Sequence, residues 1–136
     1  MKGPEWDWFP AAERESLFTE GVSISNQSNR IGYRINSHSF IVFPKRELIS
    51  TAVGAGTIQA THEGALIILM ADAQTTGGYP RLAQVASVDL PLCAQLRPGS
   101  RFHFREISID KAEELYLEKQ KWFRRIEASV LLKFQS

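Results

Sequence analysis

The sequence comprises 136 residues, of which 43% are hydrophobic and 23% are charged, and its formal net charge is +1. This length and composition predict a single globular domain, residues 1–136, and exclude a chain that is disordered throughout. The small net charge provides no overall attraction to nucleic acid, and the longest apolar run, residues 65–71, is too short to cross a bilayer. With no apolar stretch typical of a secretion signal and a single cysteine, we expect a cytoplasmic protein that binds neither nucleic acid nor a membrane.

Short strands dominate the first half of the chain. Pro10, followed by acidic residues, predicts a short helix over residues 10–18. Alternating or compact apolar runs then predict strands over residues 22–25, 31–35, 40–43, 57–61 and 66–70. The last two strands flank a short turn that contains Gly64, a residue suited to the positive φ of a hairpin.

The second half of the chain ends in a helix. Strands are predicted over residues 82–88 and 101–107. Residues 90–96 lie between them and are ambiguous, with one helical turn or two as the alternatives. From Asp110 the apolar residues recur at helical spacing, which predicts a helix to about residue 126, whereas residues 128–136 suit either more helix or a strand. Many short strands with a terminal helix are typical of a mostly β sandwich or barrel.

A polar, glycine-rich segment directly follows the most apolar predicted strand. It supplies a carboxylate, an amide, two hydroxyls, two glycines and a phenol, from Asp72, Gln74, Thr75, Thr76, Gly77, Gly78 and Tyr79. The glycines allow backbone amides to approach a ligand closely, and consecutive amides in a turn form an anion-binding nest. Two interpretations remain open: a ligand-binding loop, or a tight turn whose threonines hydrogen-bond to the backbone.

Two arginines form a second candidate site. Arg30 and Arg34 are separated by an even number of residues, so on a strand they point to the same face. Two guanidinium groups on one face suit a carboxylate or phosphate, although pairing with acidic residues on a neighbouring strand is the alternative. The three histidines, His38, His62 and His103, lack the spacing of metal ligands, so we expect no metal site.

The chain resembles the C-terminal half of the family to which the C subunit of 5-oxoprolinase belongs. The matching stretches are residues 3–5, 28–34, 47–50, 56–59, 71–72, 74–80, 89–91 and 94–99. The same family includes allophanate hydrolase subunit 2, the carboxyltransferase portion of urea amidolyase and the antagonist of a sporulation-kinase inhibitor. The resemblance implies a cyclophilin-like β-barrel with a short N-terminal helix and a C-terminal helix.

The resemblance also implies a function. It indicates part of a bacterial ATP-dependent 5-oxoprolinase, which opens 5-oxo-L-proline to L-glutamate together with a cyclophilin-fold partner that is similar to the B subunit of that enzyme, and with a third subunit. The urea amidolyase relatives imply the alternative of a biotin-dependent carboxyltransferase fragment. A third hypothesis is a non-catalytic interaction module, for which Trp6, Trp8 and Phe9 are candidate anchors on a partner surface.

The resemblance assigns roles to individual residues. Catalytic roles are expected for Asp72 and Tyr79, which would orient the lactam or a water. Ligand binding is expected for Arg30, Arg34, Gln59, Gln74, Thr75, Thr76, Gly77 and Gly78. The chain departs from the family at Ala73, where arginine is common, and at Thr61 and His62, where prolines are common. Because the family is about twice as long, we expect this chain to be inactive alone.

Overall fold

In the computed structural model, residues 1–38, 40–41 and 48–135 are described. They fall into two compact units, Met1–Glu106 and a second unit that begins at Ile107. Each unit is considered separately, and the assignment of residues 1–136 to one domain stays a prediction.

The first unit contains eight described strands arranged as two sheets. They are β1 (Val22–Ile24), β2 (Gly32–Asn36), β3 (Thr51–Ala52), β4 (Thr57–Ala60), β5 (Leu66–Leu69), β6 (Thr76–Gly77), β7 (Arg81–Gln84) and β8 (Arg101–Phe102). Six strands form an antiparallel sheet in the order β7-β4-β5-β2-β1-β8, and β3 pairs with β6 in a separate two-stranded ribbon. This confirms the mostly β architecture. Since β7 and β8 lie at the two edges of the main sheet, closure into a barrel stays a prediction.

The core lies against the main sheet. Leu66, Ile68 and Leu82 are each 0% exposed, and burying a side chain of this size contributes about 1.5–3 kcal/mol. Helix α1 (Ala11–Thr19) adds Leu17 to the same cluster. The hairpin between β4 and β5 turns at Gly64, whose φ of +82° fits the prediction made for this glycine.

The N-terminal aromatic residues belong to the core. Residues Trp6–Trp8 form one turn of 3-10 helix, and Trp6 and Phe9 are 8% and 2% exposed. Trp8 is half-buried and packs against the same cluster. The expectation that these side chains anchor a partner surface is therefore wrong for Trp6 and Phe9, because both side chains are already buried within the chain.

Two strands end several residues before their predicted limits. The predicted strand over residues 82–88 ends at Gln84, and residues Ser87–Asp89 form a 3-10 turn that leads into helix α2 (Leu90–Ala94). The predicted strand over residues 101–107 ends at Phe102, which pairs with Val22, the first residue of β1. The strand predicted over residues 40–43 is not formed at Phe40 and Ile41, which belong to no strand, and residues 42 and 43 lie outside the described part.

The second unit is one long helix, α3 (Ile109–Gln135). The tail that the sequence left undecided between helix and strand therefore continues the helix by more than two turns. None of the described α3 residues is buried. No helix within the described residues has the length and hydropathy needed to cross a bilayer.

Candidate functional site

The two candidate segments, although far apart in sequence, meet at one end of the β2–β5 pair. The ladder pairs Gly32 with Leu69 and continues beyond both strands. Met70 N–H donates to the Ile31 carbonyl at 2.9 Å, and Asp72 N–H donates to the Arg30 carbonyl at 3.2 Å. This register brings the start of the glycine-rich segment beside Arg30.

An exposed ion pair joins the two segments. Arg30 Nε lies 3.2 Å from Asp72 Oδ2, and the two side chains are 90% and 52% exposed. A pair this exposed contributes at most about 1 kcal/mol to stability. The pair places a cation and an anion together at one end of the β2–β5 pair.

The two arginines do not share a strand face as predicted. β2 begins at Gly32, and Arg30 lies before it in a turn that the Asn29 side chain closes by accepting from two backbone N–H groups at 2.9 and 3.2 Å. The even-number argument fails because it needs both residues on a strand. Arg34 is in β2, and its Nη1 donates to Gln27 Oε1 at 3.0 Å.

The glycine-rich segment is a strand rather than an amide nest. Thr76 and Gly77 form β6 and pair with Ala52 and Thr51 of β3, and Val53 N–H donates to the Thr75 carbonyl at 3.0 Å. The glycines with positive φ among the described residues lie at positions 56, 64 and 99, outside this segment. An anion-binding nest, which the ligand-binding interpretation allowed, is therefore not formed by residues 72–80, because a nest needs a residue of left-handed conformation.

Gln59 explains why glycine is needed in the β3–β6 ribbon. Its side chain is buried, with the residue 4% exposed, and Nε2 donates to the Tyr79 carbonyl at 3.3 Å. A Cβ at Gly77 would lie 2.9 Å from the same Nε2. Gln59 therefore lies under the ribbon and fixes its position, instead of facing solvent as a ligand contact.

The remaining predicted site residues lie at the surface. Gln74, Thr75 and Thr76 are exposed, Gly78 is half-buried, and Tyr79 is 37% exposed. The Tyr79 ring meets the His62 ring edge-on, with 5.2 Å between centroids. His62 therefore forms part of the surroundings of a candidate site residue.

A buried ion pair beside the ribbon was not identified from the sequence. Glu5 is 6% exposed, and both of its carboxylate oxygens accept from Arg81: Oε1 from Nη2 at 2.7 Å and Oε2 from Nε at 2.8 Å. Arg81 Nη1 also donates to the Ala52 carbonyl of β3 at 3.3 Å. These bonds to Arg81 lower the pKa of Glu5. The sequence did contain a signal for Glu5, since residues 3–5 are among the stretches that match the family.

A second cluster joins α1 to the chain beyond β2. His38 Nε2 lies 2.7 Å from Glu13 Oε2, and His38 Nδ1 lies 3.2 Å from Glu20 Oε2. The hydrogen bond with Glu13, followed by that with Glu20, raises the pKa of His38. A ring with a carboxylate at each nitrogen is satisfied fully only as imidazolium, because neutral histidine carries one N–H.

The described residues give little support for a nucleophilic cysteine or for a metal site. Cys93 is buried, and this burial raises the pKa of its thiol, which makes it a poor nucleophile. Across residues 1–38, 40–41 and 48–135, no three His, Cys, Asp or Glu side chains are grouped so that they could hold a metal ion.

The chain is similar in sequence to two named proteins. The chain is 36% identical to the C subunit of 5-oxoprolinase from Escherichia coli K12 over 126 residues, which cover 93% of this chain and 41% of that protein. It is 37% identical to the Haemophilus influenzae protein of the same name over 108 residues, covering 79% of this chain and 35% of that one. The chain thus spans less than half the length of the curated relatives that it matches.

Solved structures show the same fold. The urea amidolyase of K. lactis superposes with a TM-score of 0.81 at 24% identity, covering 89% of this chain and 8% of that one. The urea carboxylase of Kluyveromyces lactis gives the same TM-score, identity and coverage of this chain, with 12% of that chain covered.

A family model described as carboxyltransferase domain, subdomain A and B, matches residues 1–106, which include every described strand. This chain belongs to that carboxyltransferase-domain family.

Proposed function

We propose that the chain forms part of an ATP-dependent 5-oxoprolinase, which converts 5-oxo-L-proline to L-glutamate and acts together with partner subunits. The observation that carries the proposal is the 36% identity to the C subunit of a 5-oxoprolinase across 93% of this chain. The relatives are named as one subunit of that enzyme, which supports the need for partners. A protein similar to the B subunit of 5-oxoprolinase and a third subunit are the partners that we propose.

We place the reacting groups at the open end of the β2–β5 pair and along the β3–β6 ribbon. Arg30 would bind an anionic group, while Asp72 and the Tyr79 hydroxyl would orient the lactam or a water. The hydroxyls of Thr75 and Thr76 would bind polar atoms of the substrate. Gln59 is a positioning residue in this scheme, because its amide contacts the Tyr79 carbonyl and lies against Gly77.

The exposure of these groups supports a site that a partner completes. Arg30 is 90% exposed, and charged groups in bulk water stabilise a transition state far less than those in a site from which water is excluded. A partner surface covering this end of the sheet would exclude water from the Arg30–Asp72 pair. This arrangement also explains why we expect no turnover from the chain alone.

The ribbon offers no anion-binding nest for the phosphates of ATP. Its backbone is extended and paired, and among the described residues the glycines of positive φ lie elsewhere. We therefore assign no ATP contact to residues 75–78 and place the nucleotide requirement of the assembly outside this segment.

The test is reconstitution with purified partner subunits, followed by measurement of ATP-dependent glutamate release. Thr76→Val retains the shape and strand preference of threonine and removes the hydroxyl, and Arg30→Ala removes the cation. We expect each change to lower kcat/KM by at least about tenfold, the effect of losing one charged or well-placed hydrogen bond.

Matched controls are Thr19→Val and Arg105→Ala, since both residues are exposed and lie outside the candidate site. Wild-type rates for folded Thr76→Val and Arg30→Ala would disprove the site assignment. Tight binding to the partners without turnover in any reconstitution would instead support the non-catalytic interaction module.

A biotin-dependent carboxyltransferase fragment is the second candidate, favoured by the family's description and by the fold shared with urea amidolyase. Its test is binding of biotin or of a biotinylated carrier domain, measured by calorimetry. Binding that Arg30→Ala abolishes, with no glutamate release from 5-oxo-L-proline, would favour this function over the first.

A further inference from the structure

A polar groove of about 630 Å³ lies beside β2. The polar residues that line it include Asn26, Gln27, Asn36 and Ser37, together with Arg34. Arg34 is the one charged residue among the described residues that line this groove. The described part of the groove lining therefore combines the positive charge of Arg34 with neutral amides and hydroxyls.

Arg34 differs from other arginines of this chain in the charge of its partner. Arg14, Arg30 and Arg81 each pair with a carboxylate. Arg34 Nη1 instead donates to the neutral Gln27 Oε1 at 3.0 Å. An amide oxygen fixes the direction of a guanidinium group without neutralising it, and the planar fork retains further N–H groups for a second acceptor.

Hydrogen bonds between serine hydroxyls and the backbone hold the loop beside Arg34 in place. The Ser28 hydroxyl accepts from Arg34 N–H at 3.0 Å and lies 3.2 Å from the Arg34 carbonyl, to which it donates. Ser25 N–H donates to the same carbonyl at 2.8 Å, and Ser25 Oγ accepts from Gln27 N–H at 3.2 Å. These bonds fix Gln27 relative to Arg34 before any ligand arrives, which lowers the entropic cost of binding.

The geometry points to a binding site for a small carboxylate in this groove. Arg34 would bind the carboxylate through its free N–H groups, since fork-shaped guanidinium contacts match carboxylate geometry. The amides of Asn26 and Asn36 would bind neutral polar atoms of the same ligand. Arg34 is half-buried, which strengthens its attraction for an anion relative to a fully exposed arginine. The proposal of this binding site does not depend on the 5-oxoprolinase function proposed above.

The test is titration of the full chain alone, without ATP or partner subunits, with 5-oxo-L-proline and sodium L-glutamate. The uncharged lactam 2-pyrrolidone serves as the ligand control. We expect backbone amide NMR shifts confined to the groove, that is, to residues 24–37 and to the neighbourhoods of Ala65 and Gly99, and no such shifts with 2-pyrrolidone. Because the assay needs no turnover, its failure is distinguishable from failure of the proposed 5-oxoprolinase activity.

Two variants test the role of the positive charge on Arg34. Arg34→Gln is expected to weaken carboxylate binding by at least about tenfold. Gln27→Glu leaves Arg34 in place but gives it an ionised partner, so a loss of similar size is expected from a nearly isosteric change. Arg105→Gln, an exposed arginine that does not line the groove, should bind as the wild type does.

Several outcomes would overturn the proposal. They are the absence of carboxylate binding, wild-type affinity in Gln27→Glu, shifts that map to residues 72–80 and vanish in Arg30→Gln, or an equal loss in Arg105→Gln. If Arg34→Gln does not fold, Gln27→Glu decides the question by itself.

Discussion

Replacing Glu5 by alanine is expected to lower the free energy of unfolding by about 3 kcal/mol, the lower end of the range for breaking a buried ion pair by removing one partner. Glu5 accepts three hydrogen bonds from Arg81, one from its backbone N–H at 2.9 Å and two from its guanidinium group. The side chains of Glu5 and Arg81 are 8% and 20% exposed. Without the carboxylate, Arg81 would be a largely buried cation whose remaining partner is a carbonyl.

The assay is urea unfolding followed by tryptophan fluorescence. With a slope of about 1.5 kcal/mol/M, a loss of about 3 kcal/mol lowers the unfolding midpoint by about 2 M. The matched control is Asp7→Ala, which removes the carboxylate from the Asp7–Arg14 pair. That contact is 2.6 Å, but the Asp7 side chain is 89% exposed, so we expect a loss below about 1 kcal/mol.

The pH dependence of this loss has a defined sign. Because the pKa of Glu5 is lowered in the folded chain, its stabilisation is present above the unfolded pKa and is lost as the pH falls through the folded value. The difference between wild type and Glu5→Gln should therefore be full at about pH 7 and shrink in acid. A Glu5→Ala cost no larger than that of Asp7→Ala would refute the argument that burial makes this pair costly to break.

Two further predictions concern the His38 cluster and the β3–β6 ribbon. His38 has a raised pKa, so its stabilisation is present below about pH 6.5 and is lost as the pH rises through its folded pKa. The cost of His38→Gln in urea should be about 0.5–1 kcal/mol at about pH 5.5 and near zero at about pH 9, and equal costs at both values would contradict this. Gly77→Ala places a Cβ 2.9 Å from Gln59 Nε2. It should cost about 1 kcal/mol in the same assay, whereas Gly54→Ala, where no atom lies within 4 Å, should cost less. Equal costs would exclude Gln59 as the reason for glycine at position 77.

The strands that form the core were predictable from the sequence. β4 alternates polar and apolar residues, β5 is a continuous apolar run, and the two flank a glycine turn, so local pattern and turn chemistry agree there. Prediction failed where the end of a strand depends on its neighbour. Phe102, Phe104 and Ile107 suggested a longer strand, yet β8 ends at Phe102, opposite Val22, where its partner strand β1 begins.

The segments that form the candidate site could be predicted from the sequence, but their conformation could not. The sequence indicated both segments that meet at Arg30 and Asp72, although register alone determines that they meet. Gly77 and Gly78 suggested a turn, since glycine tolerates positive φ. Glycine at position 77 instead accommodates the Gln59 side chain, a packing cause that lies well before it in the chain and leaves no local pattern.

The residue at which β2 begins determines how Arg30 and Arg34 differ in their partners. Had β2 extended back to Arg30, both guanidinium groups would share a face and could act on one anion. The turn closed by Asn29 starts the strand at Gly32 instead, so Arg30 pairs with a carboxylate and Arg34 with an amide. A carboxylate partner neutralises much of the charge on Arg30, whereas an amide leaves that of Arg34 available. Of these two arginines, Arg34 therefore has the stronger intrinsic attraction for a small anion in the chain alone, and Arg30 requires a partner surface that excludes water before it contributes comparably.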